Sequence, residues 1–157
     1  MIDRRASVNC PWGVAAGMLI AVLAMSGSAQ AGGWDEFLKR CVTPMEKGGV
    51  PSILGLDLID DPVGQGFDLP GNASMAVRPP FGTLGLQCQV VTQPIEVAKD
   101  AFDAWIATGV SAGNYTADLE IESRWIAGET FAKPVVVDAW QEGKKMMLQI
   151  SFLETAP

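Results

Sequence analysis

Two stretches near the C-terminus constrain this chain more than any other feature. Val135-Val-Val-Asp-Ala-Trp140 and Lys145–Leu153 flank Gln141-Glu-Gly-Lys144, a short turn containing Gly143. In the second stretch Met146, Leu148, Ile150 and Phe152 alternate with Met147, Gln149 and Ser151. Side chains on a strand point alternately to two faces, so this pattern predicts an antiparallel hairpin with one buried face. Trp140 breaks phase with Val135, Val137 and Ala139. It is expected on the opposite face beside the turn, as a candidate contact residue.

Elsewhere the period changes. Trp34, Phe37, Leu38, Cys41, Val42 and Met45 form one apolar stripe at helical spacing, with Asp35 and Glu36 in its first turn and Gly48-Gly49 as the stop. Pro44 is the discordant residue, predicted to end the helix near Thr43 or to kink it. A second helix is expected to begin at Pro94, with Ile95, Ala98, Phe102, Trp105 and Ile106 inward and Gly109 as its stop. Dense Pro/Gly punctuation between Val50 and Pro80 predicts short extended pieces at 53–59, 66–69 and 74–78. Leu84, Leu86, Cys88 and Val90 alternate with Gly85, Gln87 and Gln89, a strand with Cys88 on the core face. Alternation over 117–125 predicts another strand, with Glu120 and Glu122 on its solvated face. The expected fold is α+β: two helices on one face of an antiparallel sheet of about five or six short strands, in the order α-β-β-β-α-β-β-β.

Residues 1–31 stand apart from this domain. Arg4 and Arg5 precede an uncharged run at 13–25, GVAAGMLIAVLAM, and Ala29-Gln-Ala31 follows. A bilayer span needs roughly 20 apolar residues, so the run suits a secretory leader cleaved between Ala31 and Gly32, with no stable anchor afterwards. Residues 32–157 then form a single globular domain, exported to a periplasmic or extracellular compartment. Removing the leader discards Cys10 and leaves Cys41 and Cys88. In an oxidising compartment such a pair is expected to form a disulfide joining the first helix to the strand before the second. The opening Trp34-x-x-Phe37-x-x-x-Cys41-x-x-Pro44 resembles that of small exported bacterial proteins, a likeness that carries no activity with it.

The chain contains no histidine, which removes Ser/His/Asp triads, Cys/His dyads and His-ligated metals. Residues 32–157 hold nine basic and 17 acidic residues, a net charge of −8. That charge repels phosphate backbones and anionic membranes, so no nucleic-acid partner is expected. Asp57, Asp60 and Asp61 are interrupted by apolar residues and lack the distal bidentate acid of a calcium loop, which leaves them a solvated loop. Gly64-Gln-Gly66 lacks the Lys-Ser/Thr of a phosphate loop. No residue is assigned a catalytic, cofactor-binding or metal-binding role. The expected function is that of a non-catalytic domain binding a protein or another envelope component. A small-molecule carrier with an apolar cavity is the alternative, and an Asp/Glu hydrolase ranks last.

Overall fold

The first apolar stripe folds as a helix that stretches without breaking. In the computed structural model, which describes residues 32–127 and 129–154, α1 (Gly32–Phe37), a π-helical turn (Leu38–Val42) and α2 (Thr43–Glu46) run on without interruption. Pro44 accounts for one half of this departure. Proline has no N–H, so the carbonyl of Arg40 loses its helical donor. The Ser52 N–H takes that place at 2.8 Å. Immediately before the proline, the Thr43 N–H donates to the Leu38 carbonyl five residues back, the wider ring of a π turn. The stripe survives intact: Trp34, Phe37, Cys41, Val42 and Met45 are all buried. The predicted leader, with Cys10 and the cleavage position at Ala31, lies outside the described residues.

The second helix, α3 (Ile95–Ser111), follows Pro94 as its pattern requires. It runs through Gly109 rather than stopping there, and the chain turns at Gly113 with φ +75°. Gly109 is glycine for a packing reason. A Cβ at that position would lie 2.8 Å from Cδ2 of the Tyr115 ring.

Eight strands form one antiparallel sheet: β1 (Leu58–Ile59), β2 (Gln65–Leu69), β3 (Ala73–Arg78), β4 (Leu84–Thr92), β5 (Tyr115–Ala117), β6 (Arg124–Ala127), β7 (Val135–Glu142) and β8 (Lys145–Leu153). Their spatial order is β1-β2-β3-β4-β8-β7-β6-β5. Each half of the chain is thus a helical segment followed by a four-stranded meander, and the two meanders join where β4 pairs with β8. The α+β class with helices on a sheet holds. The expected five or six strands and the three-strand halves do not, because the described residues form eight strands in two sets of four.

Two segments depart from their expected form. The expected strand at 53–59 shrinks to the two residues of β1. The expected strand over 117–125 is instead a reversal. Asp118 Oδ1 accepts the N–H groups of Glu120 and Ile121 at 2.8 and 3.3 Å, Ser123 adopts φ 61°, and β5 turns back to pair with β6. The alternating Leu119 and Ile121 are exposed. Glu120 and Glu122 therefore lie in a loop rather than on a sheet face. A third difference concerns Gln87 and Gln89, which are buried although they face away from the helices. They lie on a strand at the centre of the sheet, with Ala76 and Gln149 directly opposite Gln89 on either side.

The core fills the space between the helices and one sheet face. Cys88 lies in a cross-strand row with Val77, Ile150, Val137 and Trp125. The expected disulfide is present: Cys41 and Cys88 are bonded, with Cα atoms 5.6 Å apart and both residues fully buried. Rings of Trp34, Phe102, Trp105, Trp125, Tyr115 and Phe131 form a continuous chain of contacts, with centroids 5.1 to 6.0 Å apart. Aromatic packing of this kind contributes beyond area burial. It ties both helices to the second meander.

Candidate functional site

Trp140 is the residue that the strand phase sets apart, and the fold places it as that phase requires. Val135, Val137 and Ala139 belong to the core, while Trp140 is opposite Met147 on the other face and 38 % exposed. It stands between two clefts. The first, of about 190 Å³, opens between α3 and strands β6 to β8. Phe102, Trp125, Ala139 and Met146 supply its apolar surface, and Lys99, Asp103, Ser123 and Gln141 its polar one. The second, of about 260 Å³, includes Ile121, Arg124, Asp138 and Gln149 with Trp140.

Lys99 and Asp103 at the first cleft and Arg124 and Asp138 at the second are paired, whereas Glu122, also at the second, joins no ion pair among the described residues. Lys99 forms an ion pair with Asp103 one helical turn away. That hydrogen bond, and then the carboxylate's charge, holds the Lys99 ammonium above its ordinary range. Arg124 grips Asp138 across β6 and β7 with two bonds, Nε to Oδ1 at 2.5 Å and Nη2 to Oδ2 at 3.2 Å. These pairs leave the first cleft with mainly apolar surface as its accessible chemistry, while Glu122 adds an acidic group to the second.

The most perturbed titratable pair lies elsewhere. The Tyr115 hydroxyl donates to Glu46 Oε1 at 2.5 Å, joining the end of α2 to β5. Burial is the main cause raising the pKa of both groups; the shared hydrogen bond raises Tyr115 further and pulls Glu46 back down. Sequence reading missed this pair, because the partners are 69 residues apart and no local pattern connects them. Its role is to tie two elements together.

Of the other sequence candidates, Glu122 meets Trp140 at the second cleft and the rest do not converge. Asp61 Oδ1 accepts the N–H groups of Val63 and Gly64, both at 2.9 Å, so it organises its own turn. Asp57 and Asp60 are exposed. Among the described residues no group of three or more Cys, Asp or Glu is placed to hold a metal ion. No helix among them is long and apolar enough to cross a membrane. Two broader depressions, of about 600 and 410 Å³, flank the β7–β8 turn and share Gln93, Gly143 and Lys144. They were illegible in the sequence, because the β4–α3 junction and the hairpin tip meet only in space. Comparison with protein-family models, with curated proteins and with solved structures finds no match for this chain.

Proposed function

We propose that this chain is an exported, non-catalytic binding domain that anchors a protein or another envelope component through the Trp140 cleft. The observation that carries this reading is a partly exposed tryptophan beside an apolar cleft floored by Phe102, Trp125 and Met146. Binding energy at protein interfaces concentrates where an aromatic side chain adjoins a well-packed pocket. At about 190 Å³ the cleft suits one inserted side chain. Small-molecule sites run to roughly 300–1,000 Å³ with mainly apolar linings. The larger depressions at the hairpin tip are rich in Gln, Glu and Lys, which favours the protein binder over the carrier. The leader pattern and the buried bridge support export to the periplasm or beyond, where disulfides persist.

A photo-crosslinking amino acid in place of Trp140 tests this reading in cells that export the protein. The expected result is one discrete adduct, absent when the same amino acid replaces Leu119 on the exposed β5–β6 turn. Recovered protein is expected to begin Gly32-Gly33-Trp34. A correctly folded, exported variant that forms no adduct at position 140 would overturn the binding role.

A further inference from the structure

The opposite end of the sheet carries a second surface, built on different residues. Exposed apolar side chains concentrate around β1: Leu54, Leu58 and Val63 are 87, 71 and 56 % exposed, and Ile59 is 40 % exposed. β1 is also the last strand on its side. The Asp68 N–H donates to the Asp57 carbonyl at 3.0 Å, and Leu58 and Ile59 pair with Phe67 and Gly66. In an antiparallel ladder the residues of alternate pairs turn their N–H and C=O groups away from the partner strand. With Asp57 bonded to β2, Leu58 turns both groups toward the open edge. Such an edge is a template for a further strand.

Charge selects the occupant. Asp57 and Asp60 flank the two apolar residues and both are exposed. The nearby cations are committed elsewhere: Arg78 faces Asp61 at 4.0 Å, and Arg40 engages Glu36 and the carbonyls of Ser52 and Leu54. A second copy of this chain would pair about Leu58, whose groups face the edge, and that register sets the two Asp57 side chains diagonally across one face with no cation beside them. Like charges at that spacing on one face disfavour the strand pair. We infer that β1 receives, as a ninth strand, an extended segment of another polypeptide with the pattern basic–apolar–apolar–basic. Its basic residues lie opposite Asp60 and Asp57, and its apolar residues opposite Ile59 and Leu58. This edge lies in the first meander, so it is independent of the Trp140 cleft on β7.

The probe is a capped hexapeptide, Thr-Lys-Val-Val-Lys-Thr, titrated into the isotopically labelled full chain with its bridge formed. Amide shifts in the NMR spectrum are expected to saturate and to be confined to residues 56–61 and the facing part of β2. Added salt weakens binding. The Asp57→Asn/Asp60→Asn variant, whose exposed substitutions leave the remaining spectrum unchanged, weakens it about three- to tenfold at low salt. Three results would each overturn the inference: no shifts at about 5 mM peptide, equal binding of the Thr-Glu-Val-Val-Glu-Thr peptide, or shifts centred on the hairpin tip. Concentration-dependent dimerisation of the free chain, abolished by Leu58→Lys, would assign the edge to a second copy instead.

Discussion

Removing the Cys41–Cys88 bridge with the double substitution Cys41→Ala/Cys88→Ala is expected to destabilise the fold by about 4 kcal/mol. The magnitude follows from the position of the bridge in the chain. The cysteines are 47 residues apart. On the chain-entropy account, closing a loop of that length lowers the unfolded state's free-energy advantage by on the order of 4 kcal/mol at 25 °C. The enclosed loop contains α2, β1, β2, β3 and the first half of β4, together with the Pro/Gly-rich turns between them. Those turns have much conformational freedom to regain on unfolding. The native state changes less, because both sulfurs are fully buried and alanine keeps the site apolar. The small cavity left by two sulfurs adds to the cost rather than offsetting it. Against a typical domain stability of about 5–15 kcal/mol, this loss is large. For a domain of this size it corresponds to a drop in melting temperature of roughly 12–20 °C. Chemical denaturation of the oxidised protein and the double variant, followed by tryptophan fluorescence, measures the difference directly. A loss below about 1 kcal/mol would refute the reasoning, since it would mean that the 41–88 segment is already confined in the unfolded chain.

Three further outcomes follow from particular contacts. Glu46 is held above its ordinary value of 4.5 mainly by burial, so its folded pKa exceeds its unfolded one and its contribution to stability is lost as pH rises through the folded pKa. Glu46→Gln keeps an acceptor for the Tyr115 hydroxyl and removes the buried charge; equilibrium unfolding at pH 4 and pH 7 should show less pH dependence and no loss at pH 7, and a loss above about 1 kcal/mol there would refute this. Gly33→Ala would set a Cβ 2.0 Å from Thr92 Oγ1 and 2.4 Å from its Cβ, so α1 must shift, at a cost of roughly 1–3 kcal/mol; an unchanged melting temperature would contradict that packing. Truncation after Glu142 deletes β8, which pairs with both β4 and β7 and buries Met146, Leu148 and Ile150; cooperative unfolding should disappear, and a sharp calorimetric transition in the truncated chain would refute the central role of this strand.

The residues alone were enough for several single elements, though not for the end of α3 or the length of β1. The stripe from Trp34 to Met45 reads as a helix because its apolar side chains recur at helical spacing, and the structure buries that stripe despite Pro44. The alternation from Met146 to Phe152, with Gly143 before it, marks β8 and the hairpin. Trp140 is off phase with its strand, and this local fact already placed it on the other face. The bridge was legible because the expected leader sets Cys10 apart, and Cys41 and Cys88 both lie on apolar faces. Tertiary structure decided everything that depends on what stands opposite. The pairing of β4 with β8, which joins the two meanders, brings together strands more than 50 residues apart that share no local signal. Residues 117–125 alternate like a strand, yet the Asp118 turn and the pairing of β5 with β6 make them a reversal. Gln87 and Gln89 read as solvent-facing and are buried, because neighbouring strands crowd the centre of an eight-stranded sheet. The cleft beside Trp140 needs α3 and three strands from the second meander to meet. Periodicity reports which side chains share a face, whereas burial and site geometry depend on the partner that covers it.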